Sequence, residues 1–472
     1  MNSLVVNAVS QTSANVKTMK PTLVLLLMSV VTLPVVHSEV IKSSYVVPEG
    51  LVPGAAFIDR ILPAPLKGKL RSDVWGGDNV LPRDASNGIE AADYSYWGGN
   101  ILKGEDDQYH MFVCRWPEDN VKGGGRASGH QTWWSSEVVH AISEDPIGPY
   151  EVVDVIGAGH NPEIYQRKDG SYVIGVMGDK AYTAGSLDGP WTEIVPHFEW
   201  QGEPLNRTNR TYIPREDGSL LMMNKNGYIF ISENGDEHFK QLTEASVYPK
   251  IANKFEDPVI WKDEVQYHLI VNDWQRRYAL YMRSPDGIHW KWAPGHAYDA
   301  EVMKLEGGHQ ERWYKFERPK VLQDAYGRAT HINFAVIDVI KDEDLANDHH
   351  SSKNVVLPLL VPRRIQIMNT SRITAETSKI ELLILAEEGF DPITEVDVES
   401  LSFGAPEFVD FGKGSQSLKA IAQGQDLLVV FDGKGNGLEA HNFTAKLLGK
   451  NTHGELLLGY AKQPQKQRIH LK

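Results

Sequence analysis

The stretch Glu256-Asp257-Pro258-Val259-Ile260-Trp261, followed by Tyr267-His268-Leu269-Ile270-Val271, decides the fold of this chain. An acidic opening leads through a proline into an apolar run, and a polar loop separates this run from a second one. Proline favours an extended conformation in the residue before it, and short apolar runs bounded by turn residues are typical of buried strands. The stretch therefore predicts a β-hairpin whose first strand begins with two carboxylates.

The same pattern occurs four more times along the chain. The other openings are Trp97-Gly98-Gly99-Asn100, His160-Asn161-Pro162-Glu163, a weaker one at Asn209, and Glu317-Arg318-Pro319-Lys320. Counted from residues 97, 160, 209, 256 and 317, the intervals are 63, 49, 47 and 61 residues. Propeller blades repeat every 40–50 residues, roughly, and loop insertions lengthen the interval. The repeat therefore predicts a five-bladed β-propeller within residues 39–385.

The two ends of the chain differ from this pattern. Lys20, the apolar run at residues 23–36 and the sequence Val36-His37-Ser38 are typical of a secretory signal. Residues 1–38 are thus expected to be a signal peptide with upstream residues, which predicts a secreted or periplasmic protein with no membrane span after cleavage. Short apolar runs at residues 408–411, 427–431 and 456–460 predict a small C-terminal β-sandwich over residues 386–472. The expected fold class is all-β.

Composition narrows the choice of partner. The formal net charge is −14, and Lys and Arg do not cluster as nucleic-acid binding requires. The chain has 12 Trp and 18 Tyr, whose flat apolar faces can stack on the C–H groups of sugars. An oligosaccharide or polysaccharide is therefore the expected partner, and nucleic acid is not.

The blade openings are where chemistry is expected. The first strand of each propeller blade lines the central channel, so its opening residues converge on one pocket. Glycoside hydrolysis needs two carboxyl groups, one protonated and one ionised. Glu256, Asp257 and Glu317 are the candidate catalytic residues. Because successive side chains of a strand point to opposite faces, only one of Glu256 and Asp257 is expected in the pocket.

Polar and aromatic residues near the openings are candidates for binding substrate. These are Trp97, Arg115, Glu137, His140, His160, Asn161, Trp313 and Arg318. The histidines do not show the sequence spacing of a zinc site, so neither a metal site nor a cofactor is expected from the sequence. A cation in the channel has no support from the sequence.

Several motifs carry a family resemblance over roughly residues 85–370. Tyr96-Trp97-Gly98-Gly99, Ser136-Glu137-Val138-Val139-His140-Ala141 and Glu256-Asp257-Pro258 resemble the five-bladed propeller superfamily that includes glycoside hydrolase family 43. The resemblance is closer to a group of exported bacterial family-43-like proteins whose substrates are mostly unassigned. It implies an inverting mechanism with an Asp base in the first blade, a second Asp that tunes a pKa, and a Glu acid before a proline. The acid corresponds to Glu256 or Glu317.

The chain departs from the family pattern in its first two blades. Gly98-Gly99 stands where the family has Asp-Pro, and Asn161-Pro162 replaces another such pair. Asp93 or Asp78 could supply the base instead. Asp257 as base with Glu317 as acid is the preferred pairing, because both open predicted channel-lining strands.

The sequence as a whole predicts an exported glycoside hydrolase that cleaves plant or algal polysaccharide fragments with paired carboxylates. Two alternatives stay open at this point. A non-catalytic carbohydrate-binding propeller would account for the missing Asp in the first blade. A glycoside phosphorylase would need a basic phosphate pocket.

Overall fold

The computed structural model describes residues 45–119, 129–200 and 206–464. Regular structure in these ranges is almost entirely β, as the sequence predicts, and the two α-helices have four residues each, Pro392–Glu395 and Pro406–Val409. The 3-10 helices are Phe57–Arg60 and His130–Ser135. In the described ranges, no helix has the length and apolar character that crossing a membrane requires. The predicted signal peptide lies outside the described residues.

Five sheets follow one another along the chain as the predicted blades. Blade 1 consists of β1 to β4, Tyr94–Lys103, Tyr109–Pro117, Glu137–Ser143 and Glu151–Ala158. Blade 2 consists of β5 to β8, Glu163–Gln166, Tyr172–Gly175, Ala181–Ala184 and Thr192–Ile194. Blade 3 consists of β9 to β13, His197–Glu199, Thr211–Pro214, Leu220–Met223, Ile229–Ser232 and His238–Gln241. The short β9 pairs in parallel with β13 at the outer edge.

The last two blades complete the ring. Blade 4 consists of β14 to β18, Phe255–Lys262, Tyr267–Asp273, Tyr278–Ser284, Lys291–Trp292 and Tyr298–Asp299. Blade 5 consists of β19 to β21, Lys315–Gln323, Ala329–Ile337 and Ser352–Pro358. The first long strands of the five blades, β1, β5, β10, β14 and β19, contact one another in a closed cycle. The five-bladed propeller predicted from the repeat is confirmed.

The segment before blade 1 extends the outer edge of blade 5. Ile89 exchanges two backbone hydrogen bonds with Asn354 of β21, at 3.1 and 3.2 Å. The side-chain amide of Asn87 continues this pairing along β21. It donates to the carbonyl oxygen of Val356 at 2.9 Å and accepts from the backbone N–H of Val356 at 2.8 Å. The chain thereby joins its first and last blades, so the edge of β21 is paired rather than open to other chains.

Gly88 lies between Asn87 and Ile89, and the close backbone contact between this segment and β21 requires a glycine there. Its φ is +73°, and a Cβ there would lie 1.8 Å from the Asn354 carbonyl oxygen. Gly170 in a blade 2 turn has a similar φ of +88° with nothing within 4 Å of its Cβ position. Gly170→Ala should cost about 1 kcal/mol from its left-handed backbone alone. Gly88→Ala should cost clearly more, because the blade junction must also separate. Urea unfolding of both variants tests this, and equal midpoints would contradict it.

The C-terminal part is a closed barrel rather than the expected β-sandwich. Its strands β22 to β28 are Arg363–Ile367, Lys379–Ile384, Val396–Gly404, Ser415–Gln423, Asp426–Asp432, Thr444–Asn451 and Leu456–Lys462. Their order is β22-β23-β26-β25-β24-β27-β28, and β28 pairs in parallel with β22 to close the sheet. The apolar patterns of the strands predict their existence, but this long-range pairing has no local sequence signal.

The barrel also begins earlier than residue 386. Strands β22 and β23 fall within the range assigned to the propeller from the sequence, yet both pair inside the barrel. Ile380, Leu382, Phe431 and Leu447 are fully buried in its core. The composition change near residue 385 therefore falls inside the barrel and does not mark its start.

Candidate active site

A pocket with a volume of about 360 Å³ opens where the channel-lining strands begin. Its lining residues are Trp97, His130, Gln131, Trp133, His160, Asn161, Met177, Thr208, Asn209, Lys225, Glu256, Asp257, Glu317, Arg318 and Lys341. Every blade contributes to it. The blade openings therefore converge on one site, as the repeat predicts.

The openings form two rings at this site. The first, here called the mouth ring, consists of Trp97, His160, Thr208, Glu256 and Glu317. The second, here called the left-handed ring, consists of the next residue of each blade, Gly98, Asn161, Asn209, Asp257 and Arg318. Their φ values are +51°, +53°, +48°, +54° and +50°. One unusual backbone conformation is thus repeated once in every blade. Asn and Asp tolerate it better than most residues do.

This conformation corrects the expectation that only one of Glu256 and Asp257 enters the pocket. The pairing of β14 with β15 shifts in register between Glu256 and Val259, around the left-handed Asp257. The shift breaks the alternation of side chains, so both carboxylates line the cavity. The same register shift occurs around Gly98 in β1 and around Arg318 in β19.

Side chains of the left-handed ring are hydrogen-bonded to one another. Asn161 donates to Asn209 at 2.7 Å, and Asn209 donates to Asp257 at 2.7 Å. Arg318 donates to both oxygens of Asp257, from its backbone N–H at 3.2 Å and from Nη1 at 3.3 Å. At the fifth position, a Cβ on Gly98 would meet Asn161 Oδ1 at 3.2 Å and Arg318 Nε at 3.3 Å. Asp257 is therefore held in the ring by three donors.

A buried ion pair lies deeper in the channel. The ammonium of Lys320 contacts the Glu163 carboxylate, and both side chains are almost completely buried. Glu163 also accepts a hydrogen bond from Thr211 Oγ1 at 2.8 Å, and Arg318 Nη2 lies 3.9 Å from it. Burial lowers the pKa of Lys320 to about 7. Three blades are thus connected through one carboxylate beneath the pocket.

Glu256 has the environment of a carboxyl group that stays protonated near neutral pH. Burial and the charges of Asp257 and Glu317 raise the pKa of Glu256 to about 7. They do so although Lys225 Nζ lies 2.5 Å from Glu256 Oε2. One oxygen each of Glu256, Asp257 and Glu317 lie within 4.8 Å of one another. Close carboxylates cannot all remain ionised in a buried site, and Glu256 is the one in which the proton is favoured.

Glu317 has the opposite environment. Lys315 Nζ lies 2.8 Å from its Oε1, and Lys341 Nζ lies 2.9 Å from its Oε2. Burial alone would raise the pKa of Glu317, but these two lysines outweigh it and lower the pKa to about 2. The pocket therefore combines a protonated carboxyl group with an ionised one.

An aromatic wall faces the carboxylates. The Trp97 ring lies 4.6 Å from Lys341 Nζ, and the Trp133 ring packs against His160 at 4.7 Å. His160 Nδ1 lies 2.9 Å from Ser136 Oγ. Burial, Arg318 and Lys341 lower the pKa of His160 well below its usual value, so its imidazole is neutral. Because Trp97 is only 3% exposed, it is the Trp133 ring that offers an apolar face to a ligand, beside the neutral imidazole of His160.

The pocket thus contains seven of the residues selected from the sequence, namely Trp97, His160, Asn161, Glu256, Asp257, Glu317 and Arg318. Arg115 and Glu137 lie outside its lining. They form an ion pair with each other at 2.9 Å, and the Arg115 guanidinium stacks on the Tyr94 ring at 4.1 Å. Their charges are paired within blade 1, and the expectation that they bind substrate stays a prediction.

His140 and Trp313 are also outside the pocket. His140 stacks on Phe112 with a ring separation of 4.8 Å, and burial together with His110 lowers the pKa of His140 to about 4. Trp313 is 2% exposed and donates from Nε1 to Glu311 at 3.0 Å. Both side chains are buried and outside the lining of the cavity, and the expectation that they bind substrate stays a prediction.

Several lining residues escaped the sequence analysis. Thr208 and Asn209 occupy the same ring positions as His160 and Asn161, and aligning the weak third repeat by one residue would have found them. The 3-10 helix His130–Ser135 and the lysines Lys225 and Lys341 reach the pocket from loops between strands. No periodic pattern marks these loop residues.

The five blades around the channel, with carboxylates in the pocket at its mouth, define the class of protein as a five-bladed β-propeller with a carboxylate-bearing pocket.

No protein-family model matches the chain, and no curated protein is similar to it in sequence. Several solved structures are similar to part of the chain, with TM-scores below 0.5. A family 117 glycoside hydrolase of the marine bacterium Zobellia galactanivorans is 14% identical with a TM-score of 0.42, covering 61% of this chain and 88% of that one.

Two further solved structures are similar. An α-L-arabinofuranosidase of Podospora anserina, in complex with cellotriose, is 11% identical with a TM-score of 0.39, covering 63% of this chain and 95% of that one. A GH43_1 enzyme of Xanthomonas citri is 8% identical with a TM-score of 0.36, covering 57% and 89%. The enzymatic activities that these names state are those of the three similar proteins.

Proposed function

We propose that this chain is a glycoside hydrolase in which Glu256 is the general acid. The observation that carries the proposal is a pair of carboxyl groups, with oxygens within 4.8 Å of each other, whose pKa values are shifted in opposite directions at the mouth of the channel. Glu256, with a pKa of about 7, retains a proton that it can donate to a glycosidic oxygen. Divergent pKa values within a close carboxyl pair are the usual way in which acid and ionised partner are assigned.

Glu317 is proposed as a fixed negative charge that keeps Glu256 protonated. In inverting enzymes the two carboxyl groups stand roughly 6.5–9.5 Å apart so that water fits between them. Oxygens of Glu256 and Glu317 lie within 4.8 Å, and both oxygens of Glu317 are engaged by lysines. A carboxylate held in this way is a poor base and a poor nucleophile. These roles differ from the preferred sequence-based pairing, because Asp257 is held in the left-handed ring.

The substrate is proposed to be a plant or algal polysaccharide fragment outside the cytoplasm. The half-buried Trp133 ring offers an apolar face on which a sugar ring can stack, next to Glu256 and the neutral imidazole of His160. The signal-like pattern of residues 23–36 supports an extracellular or periplasmic location. Product analysis after incubation with plant and marine oligosaccharides, with and without phosphate, tests the reaction.

A non-catalytic carbohydrate-binding propeller is the second candidate. It is favoured by one observation, since Asp257 and Glu317 are both committed to contacts within the protein. The same oligosaccharide panel separates the two candidates. Binding without product formation, measured by calorimetry on any oligosaccharide in the panel, would support the second candidate and contradict the first. Products that form only with phosphate would indicate phosphorolysis.

The roles of Glu256 and Glu317 predict a specific pH dependence. Activity requires protonated Glu256, so kcat/KM should fall as pH rises through about 7. Glu317→Gln removes a negative charge and leaves Lys225, Lys315 and Lys341 nearby, so the pKa of Glu256 should fall. The alkaline limb of the residual activity should then move by about one pH unit or more toward acid. Glu216→Gln, which removes an exposed carboxylate from the turn between β10 and β11, outside the pocket lining, is the control. An unmoved limb would rule out this role for Glu317.

A further inference from the structure

Two buried histidines converge between blades 1 and 2. His110 in β2 and His140 in β3 are each 2% exposed. Their rings stack with a centroid separation of 5.0 Å, and His110 Nδ1 lies 2.8 Å from His140 Nε2. A hydrogen bond at this distance requires one of the two nitrogens to carry no proton. One ring nitrogen therefore donates and the other accepts through a lone pair that points at the neighbouring ring.

Asp188 completes a three-residue cluster from the neighbouring blade. It lies in the turn that joins β7 to β8 and is exposed to solvent. One ligand atom each of His110, His140 and Asp188 lie within 4.8 Å of one another. Two imidazoles and one carboxylate constitute a common protein ligand set for zinc, with a water in the fourth position. Calcium and magnesium prefer oxygen ligands throughout and do not fit two histidines.

Asp106 supports the same interpretation from the other side of His110. Its Oδ1 lies 3.1 Å from His110 Nε2. If Nε2–H donates to this carboxylate, the lone pair of Nδ1 faces His140 and Asp188. Metal-binding histidines commonly donate their second N–H to a carboxylate, which fixes the tautomer and orients the ring. This contact and the convergence of the two nitrogens are independent observations that point to the same ligand.

We propose that His110, His140 and Asp188 bind one divalent transition-metal ion of the zinc type. Nδ1 of His110 and Nε2 of His140 each donate a lone pair to the ion. The proton that lies between the two nitrogens moves to Nδ1 of His140, so both rings bind as neutral imidazoles. Asp188 supplies a carboxylate oxygen on the solvent side, where the ion enters. The ion would fasten blade 1 to blade 2, and its binding is independent of the reaction in the channel pocket.

Titration of the chelator-treated full chain with Co²⁺ and Zn²⁺ tests this inference. We expect one Co²⁺ per chain, visible d–d absorption bands of a site with four or five ligands, and displacement of the bands by one equivalent of Zn²⁺. Saturating Zn²⁺ should also raise the thermal midpoint, since a ligand that binds only the folded state stabilises it. Glycosidase activity is not a readout of this test.

Substitutions at exposed positions keep the test independent of folding, because they leave the buried core unchanged. Asp188→Asn should weaken Zn²⁺ binding by about tenfold or more, and Asp106→Asn should weaken it by about 10- to 100-fold. His453→Gln, at an exposed turn of the C-terminal barrel, is the matched control and should bind as the parent does. Absence of stoichiometric binding would overturn the inference. Equal affinity in Asp188→Asn, or an equal loss in His453→Gln, would also overturn it.

Discussion

Glu256→Gln is expected to lower kcat/KM by about 10²- to 10⁴-fold on oligosaccharides, the usual contribution of a general acid. The glutamine keeps the size of the side chain and its contact with Lys225, but has no carboxyl proton to donate. With a dinitrophenyl glycoside of the same sugar, the loss should be much smaller, because that leaving group departs without protonation. Steady-state kinetics on both substrates measure the difference.

The comparison of two leaving groups makes this prediction specific to proton donation. Glu216→Gln removes a carboxylate that is 84% exposed in its side chain and should leave both substrates unaffected. Equal losses on the two substrates would mean that Glu256 acts in another way. Full activity of Glu256→Gln on oligosaccharides would exclude it as the acid.

Lys320→Met is expected to destabilise the protein by about 3–5 kcal/mol, because it leaves Glu163 buried without its ammonium partner. Arg318 Nη2 is 3.9 Å from the Glu163 carboxylate, so it compensates only in part. Adding Glu163→Gln to Lys320→Met should recover much of the loss, since no charge then remains unpaired. Urea unfolding of the single and double variants measures this coupling.

Lys262→Met provides the matched control for a surface pair. Lys262 contacts Glu216 at 2.6 Å, but the glutamate is largely exposed. Its removal should cost about 0–1 kcal/mol, as exposed ion pairs do. If Lys320→Met costs no more than Lys262→Met, the deep pair does not stabilise the channel.

The blades could be predicted from the sequence because their signals are local. Glu256-Asp257-Pro258 and Glu317-Arg318-Pro319 combine an extended proline opening with an apolar run, and each repeat carries its own turn residues. A strand and the hairpin after it depend on residues close in sequence. The positions of Glu256 and Glu317 at one pocket then follow from the geometry of a propeller.

The features that escaped prediction depend on backbone conformation or on distant parts of the chain. Asp257 enters the pocket because its φ is +54°, and a strict strand alternation would have turned it away. Lys341 contacts Glu317 from a loop after β20. Asn87 pairs with Val356, which lies 269 residues further along the chain. Such contacts are set by tertiary packing, so neither spacing nor composition reveals them.

The left-handed ring has an evolutionary consequence. Each blade presents one residue to the channel through the same left-handed backbone conformation, and Gly98, Asn161, Asn209, Asp257 and Arg318 show how different those residues can be. A point mutation at one of these positions changes the chemistry of the axis while the hydrogen-bonded frame of every blade stays the same. The five positions therefore share one backbone scaffold, but a substitution at one of them also changes the hydrogen bonds of its neighbours in the ring, so new specificities would arise through linked changes in adjacent blades.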